Sequence, residues 1–379
     1  MLKRFTIPEE DMVLVQHGDL RGLVTDIFQK LQVPLDEAKI GADVLVSADL
    51  RGIDSHGVSN QLRVYVDEYN QGAINPKPNF RIVRETPATA NVDSDAGLGL
   101  ITTPKAMEIA IDKANKTGLG MVTIHNGKHL GMASYHSMMA LDHDMIGVCM
   151  SSTRATVLPT FGSEPRLGTN PIAFAAPGEK EAPFLFDAAT SAIANNKIVL
   201  AIRMGASLLP GWIGDLDGTP IMEEKKVDHP KKYPQLLFGG TRELGSHKAY
   251  GLSLFIEIIS SLLSGEEAGM VSESKGIANP TNDYPEAGTR TFLAAINISS
   301  FTEVAGFKKR MDKMLRMLLE TPPSPGNDRV IYPGVIEHEE YQDRMKNGIP
   351  YHKEVVAWLE TTIKEFNLPT LLDLQKIFN

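Results

Sequence analysis

An imidazole held between turn residues, a few positions behind a fixed cation, is the first feature with chemical content: Arg51-Gly52-Ile53-Asp54-Ser55-His56-Gly57. An imidazole titrates near neutrality, so His56 can give or take the proton that accompanies hydride transfer at a hydroxyl-bearing carbon. A guanidinium fork grips a carboxylate through two parallel hydrogen bonds, which makes Arg51 and the nearby Arg63 candidates for anchoring a 2-hydroxy acid. A plainer reading fits the same residues, with Asp54 or Ser55 capping a helix, His56 on its surface and both arginines solvated.

Three further clusters carry polar groups in suggestive places. His125-Asn126-Gly127-Lys128-His129-Leu130-Gly131 follows a predicted strand and precedes a predicted helix, the sheet edge where ligand sites collect, although an ordinary polar loop reads the same way. Arg166-Leu167-Gly168-Thr169-Asn170-Pro171 leads to the apolar Phe184-Leu185-Phe186, which ends in Asp187-Ala188-Ala189-Thr190-Ser191. An acid at a strand end followed by small residues admits a cofactor close to the backbone; it is equally a way to cap a helix. Gly239-Gly240 and Gly245-Ser246-His247-Lys248-Ala249-Tyr250-Gly251 stand before a long apolar helix, where free N–H groups and Lys248 favour an anion or merely start the helix.

Some chemistries are absent. There is no HExxH, no paired CxxC and no GxxxxGK[ST], and no metal is expected. Gly97-Leu98-Gly99 and Gly118-Leu119-Gly120 both lack the third glycine of a dinucleotide fingerprint, and neither is placed between a strand and the helix that strand feeds.

The elements that must hold these clusters follow from periodicity. Ala38, Ala42, Leu45 and Val46 share one side of a helix from Pro34 to Leu50, stopped by Gly52. Val58, Leu62, Tyr65 and Tyr69 form the stripe of a second helix, which puts His56 at its mouth. Residues 80–95 alternate as short strands, Thr103-Pro104 opens a helix that ends at Gly118, and a strand follows at 121–124. Strands are predicted at 146–151, 172–176 and 183–187, and an apolar helix from about Ala249 to Leu263. Helices return at 304–320 and in a last stretch carrying Val355, Leu359, Ile363 and Phe366. The two ends are expected to be helical and the centre to carry the sheet.

The bulk properties narrow the class. With 379 residues the chain exceeds one small core and suits two or three lobes. A net charge of −9 offers no cationic field for nucleic acid or an anionic membrane, so neither is expected as a partner. The one cysteine, Cys149, lies in an apolar run that suits a buried reduced thiol. The acidic Glu9-Glu10-Asp11 interrupts any signal-peptide core and no run of about 18 apolar residues follows, so a cytoplasmic location is expected.

Together the clusters resemble the malate/L-lactate dehydrogenase family, the malate, lactate and sulfolactate dehydrogenases that lack a Rossmann fold. Asp54-Ser55-His56-Gly57, Leu167-Gly168-Thr169-Asn170-Pro171, Asp187-Ala188-Ala189-Thr190-Ser191, Leu209-Pro210-Gly211-Trp212 and Gly239-Gly240 with His247-Lys248 occur in the family's order, and the likeness runs from about residue 5 to residue 350. The resemblance implies a mixed α/β (α+β) fold, with a cofactor domain at 76–304 on a mostly antiparallel sheet and a helical, dimer-forming domain built from 1–75 and 305–379. It implies a homodimer that uses NAD, or NADP, to oxidise or reduce a small 2-hydroxy or 2-oxo acid. Malate and oxaloacetate lead. Lactate, sulfolactate, ureidoglycolate and cyclic imino acid branches, and a catalytically silent binding protein, are the alternatives.

By the same resemblance His56 is the proton donor and acceptor, His129 stands close to the reacting carbon, and Asp187 joins the catalytic set. Arg51 and Arg63 hold the substrate carboxylate. Phe186, Asp187, Ala188, Ala189, Thr190, Ser191, His247, Lys248 and Gly334 line the cofactor. The chain departs from the family twice: Ala249 replaces the glycine of Lys-Gly-Tyr-Gly, and Val335 replaces the acidic residue after Pro333-Gly334.

Overall fold

Seven strands collect the apolar runs of the middle of the chain into one sheet of order β2-β3-β4-β8-β5-β6-β7 in a computed structural model, which describes residues 3–272, 288–369 and 374–376. They are β2 (Arg81–Glu85), β3 (Thr89–Asp93), β4 (Leu119–Gly127), β5 (Met145–Ser152), β6 (Ile172–Ala176), β7 (Phe184–Ala188) and β8 (Thr289–Asn297). Every neighbouring pair is antiparallel except β3 with β4, so the sheet is mostly antiparallel, as expected. The sequence reading assigned no strand to β8, although it is central. Phe292-Leu293-Ala294-Ala295 is buried on both faces between β4 and β5, and a doubly covered strand shows no polar alternation to betray it.

The one parallel pair corrects a second expectation. β3 leads through Gly97-Leu98-Gly99 into helix α4 (Gly99–Thr117), and α4 leads to β4, so these glycines do lie between a strand and the helix it feeds. Their role there is close packing. A Cβ on Gly99 would lie 2.4 Å from the carbonyl oxygen of Lys128 and 2.7 Å from that of His129. Protein backbone therefore closes the helix mouth, and the loop bearing His129 rests directly on it. The helix also begins earlier than Thr103-Pro104: the ring of Pro104 falls in its second turn, where it forgoes the bond to the Leu100 carbonyl, and burial of Leu100, Ile101 and Ala106 compensates. It ends where predicted, at Gly118, whose φ of +85° suits glycine.

The chain ends meet in a second layer. Helices α1 (His17–Lys30), α2 (Leu35–Leu50) and α3 (Arg63–Asn70) pack with α10 (Val335–Asn347) and α11 (Lys353–Glu365). The ends are not wholly helical, however: β1 (Met12–Val15) lies antiparallel between β9 (Ile349–His352) and β10 (Leu374–Lys376). Leu20, Ile27, Phe28, Leu45, Tyr65, Tyr351 and Leu359 share one buried cluster with Leu98 and Ile101 from the start of α4. The second predicted helix divides into a π turn at Val58–Leu62 and α3. Short α5 (Ala133–Met138), α6 (Asn195–Arg203), the apolar α7 (Ser246–Ser260), a single turn α8 (Gly269–Ser272) and α9 (Val304–Leu319) are the other α-helices among the described residues. Among the described residues no helix is long and apolar enough to cross a membrane.

Candidate active site

A cavity of about 700 Å³ opens where the two layers meet. Its walls are the loop after α2, from Arg51 to His56; the loop from His129 to Ser134; the end of β7, from Leu185 to Ala189; the entry to α6, with Ala194 and Lys197; and Gly334 with Glu337 at the start of α10.

The loop carrying His56 is anchored from below. Asp49, in the last turn of α2, is wholly buried and accepts hydrogen bonds from the Val58 amide at 2.7 Å and the Tyr351 hydroxyl at 2.5 Å. A Cβ at position 57 would overlap the Asp49 carboxylate at 1.9 Å, which is why glycine follows His56. Burial, aided by the charge of Asp54, pushes the Asp49 carboxyl up to about 8 against the two hydrogen bonds. Arg344 of α10 donates to the Asp49 carbonyl and to the Asp54 carboxylate, each at 2.6 Å. Asp54 is thus spent on an ion pair and does not cap the following helix.

His56 itself is oriented by its neighbour. Ser55 Oγ lies 2.8 Å from His56 Nδ1, and Asn196 donates to the Ser55 carbonyl at 2.9 Å, tying α6 to the loop. The ring stacks on His129 with centroids 5.8 Å apart. His129 Nδ1 accepts from the Gly131 amide at 3.3 Å and from the Tyr65 hydroxyl at 2.6 Å, so a neutral His129 carries its proton on Nε2. Burial, then the charges of His129 and Lys197, lowers His56 to about 3; burial lowers His129 to about 4. Both imidazoles are therefore neutral at pH 7 without ligand.

Asp187, at the end of β7, accepts from the Ser134 amide at 2.7 Å. It keeps a face open to the cavity, yet protein crowds it enough that desolvation raises its pKa, the Ser134 bonds opposing. Phe186, Ala188, Ala189, Ser191 and Gly334 line the same cavity. Thr190 is buried and donates to the Thr169 carbonyl at 3.0 Å. Arg51 reaches the cavity with its guanidinium 4.9 Å from the Tyr341 ring centroid.

Other sequence candidates are not gathered here. Arg63 leaves the first turn of α3 toward α11, pairing with Glu354 at 2.8 Å and lying 5.0 Å over the Trp358 ring, outside the cavity wall. His247 and Lys248 occupy the first turn of α7, also outside that wall; His247 Nδ1 is buried without a hydrogen-bond partner among the described residues, and Lys248 is exposed. The Ala249 methyl packs among Val157, Leu167 and Leu237, so it crowds nothing in the cavity. Val335 is buried, and Glu337, two residues further on, supplies an acidic wall instead.

Sequence reasoning missed Lys197, Glu337 and the buried Asp49. The signals were present: an aspartate among the apolar residues of α2, and a lysine in the first turn of a helix, where the dipole disfavours a cation. Among the described residues no three His, Cys, Asp or Glu side chains converge as metal ligands.

Residues 15–360 match the family model described as malate/L-lactate dehydrogenase. The chain is 40% identical over 349 residues to a malate dehydrogenase of Pyrococcus abyssi, covering 92% of this chain and 93% of that one. It is 38% identical to an L-sulfolactate dehydrogenase of Methanocaldococcus jannaschii, over 91% and 95% of the two chains. The solved malate dehydrogenase of Pyrococcus horikoshii OT3 superposes with a TM-score of 0.84 at 33% identity, over 97% of this chain and 99% of that one.

Proposed function

The chain belongs to the malate/L-lactate dehydrogenase family, and from that premise we propose that its cavity supports reversible hydride transfer at C2 of a small 2-hydroxy or 2-oxo acid, with malate and oxaloacetate as the pair. The observation that carries the reading is the convergence of His56, His129, Arg51 and Asp187, from separate elements, on one cavity.

The lining suits a flat cofactor ring. Ala188 and Ala189 keep the strand end low, while the part-buried Thr153 offers a hydroxyl for a carboxamide. Phe186 to Ser191 and Gly334 hold the nicotinamide on this reading, with His247 and Lys248 toward the rest of the cofactor. When bound, the nicotinamide accepts or supplies the hydride. Every other task falls to the protein. Arg51 holds the substrate carboxylate, and His129 Nε2–H donates to the oxygen on C2. His56 moves the proton: neutral, it accepts the hydroxyl proton in oxidation; protonated, it returns it in reduction. Ser55 fixes the ring that does so.

Adding 2-oxo acids to enzyme and NADH while following the near-ultraviolet absorbance of the reduced cofactor tests this directly. Oxaloacetate is expected to give the fastest oxidation, and an NADPH arm decides between the two cofactors. No oxidation with any acid would favour a silent binding protein of the same fold.

The reading also makes the protein a homodimer, for which Phe255 and Ile258 on α7 and Leu262 just beyond it present exposed apolar surface, in the cofactor domain and not in the terminal helical domain to which the family resemblance assigned the dimer contact. Sedimentation is expected to show the dimer mass at micromolar concentration. A persistent monomer would remove this part of the reading.

A further inference from the structure

Lys197 lines the cavity without serving any structural contact among the described residues. It sits on the first turn of α6, whose N-cap Ala194 provides no side-chain bond, so an ammonium there works against the helix dipole. Its side chain has no ion pair or hydrogen bond among the described residues and is exposed on the cavity side; Glu337 and Asp187 attract its charge without bonding it, and partial desolvation by the cavity wall lowers its pKa. Arg51 is in the same position, desolvated and attracted by Tyr341 and Glu337 but ion-paired to neither. Both cations are coupled to His56 through the backbone: Arg51 opens its loop, and Asn196, beside Lys197, holds the Ser55 carbonyl.

A cavity wall with two unpaired cations suits a ligand with two anionic groups. A monoanion such as pyruvate engages one of them and leaves the other with water as its only partner in the cavity. We propose that Lys197 is a specificity-determining residue that receives the second anionic group, carboxylate or sulfonate, of a 2-oxo acid whose first carboxylate is held by Arg51. The inference rests on the 2-oxo acid reading of the cavity and deepens it by naming the residue that selects short dianionic acids. Lactate-type substrates are disfavoured by the same charge.

The test compares wild type with Lys197→Met, which keeps the apolar stem and removes the charge. With oxaloacetate, 3-sulfopyruvate and pyruvate as substrates, the ratio of kcat/KM for each dianion over pyruvate is expected to fall about ten- to a hundredfold, the worth of one charge-assisted hydrogen bond. Lys197→Arg should recover most of it. The carboxylate and sulfonate arms show which dianion the subsite prefers. Arg51→Lys, by contrast, should weaken dianions and pyruvate alike, because both present the carboxylate at C1. Calorimetric binding of tartronate, a dianionic 2-hydroxy acid, reads the subsite without turnover and is expected to weaken by a similar factor in Lys197→Met, with NADH affinity unchanged. An unchanged ratio, an equal loss for dianions and pyruvate, or tartronate bound equally by both proteins would overturn the assignment. Should wild type oxidise NADH with no acid, the parent reading fails, and tartronate binding still decides the subsite.

Discussion

His56→Ala is expected to lower turnover by about two to four orders of magnitude, the usual contribution of a positioned general acid and base. The loss should appear in kcat while the thermal midpoint stays close to that of wild type, because the loop is held by Asp49, Arg344 and Asn196 and not by the imidazole. The same assignment fixes the pH dependence. In the free enzyme His56 titrates at about 3, held down by burial, and the state that oxidises a hydroxy acid is the neutral one. Log kcat/KM for oxidation should therefore be flat from about pH 5 to 8. Reduction needs the protonated state, whose population falls tenfold per pH unit above the pKa, so kcat/KM for reduction should decline with a slope near −1 across the same range. Full activity in His56→Ala, or reduction that is insensitive to pH, sinks His56 as the proton carrier.

Arg344→Met should be the most damaging change outside the cavity. The guanidinium side chain is 5% exposed and serves Asp54, Glu340 and the Asp49 carbonyl at once. Burial works against its charge, but Asp54 outweighs that and raises its pKa, so it stays ionised. Its removal strands a carboxylate and a carbonyl in the interior, which costs about 3–5 kcal/mol. Urea unfolding measures that loss, and kcat should fall with it because Asp54 and Asp49 flank the His56 loop. Arg344→Lys can meet one partner but not three, and should recover only part of either quantity. A stability change under about 1 kcal/mol with unaltered kcat would show that the loop holds itself.

Much of this was legible in the residues. α2 and β5 to β7 follow from apolar periodicity, and the family motifs single out His56, His129, Arg51 and Asp187. The gaps have physical causes. β8 is covered on both faces and so lacks alternation. The terminal sheet pairs strands more than 330 residues apart, a pairing no local window contains. Pro104 resembles a first-turn proline, yet the packing of Leu100 and Ile101 carries α4 past it. Proximity in sequence suggested Arg63, but its place on α3 turns it toward Glu354. Lys197 went unread because Asn195-Asn196-Lys197 looks like any polar helix start; only the cavity around it gives the charge a meaning.

The clamp on the His56 loop bears on how the protein is made. Arg344 is 290 residues downstream of the aspartate it grips, and Tyr351 is 302 beyond its own partner. A ribosome must carry synthesis some 300 residues past Asp49 before the loop can lock. Until then, however complete the central sheet, the nascent enzyme holds its imidazole on an unfastened turn, and competence waits for α10 and β9 to emerge.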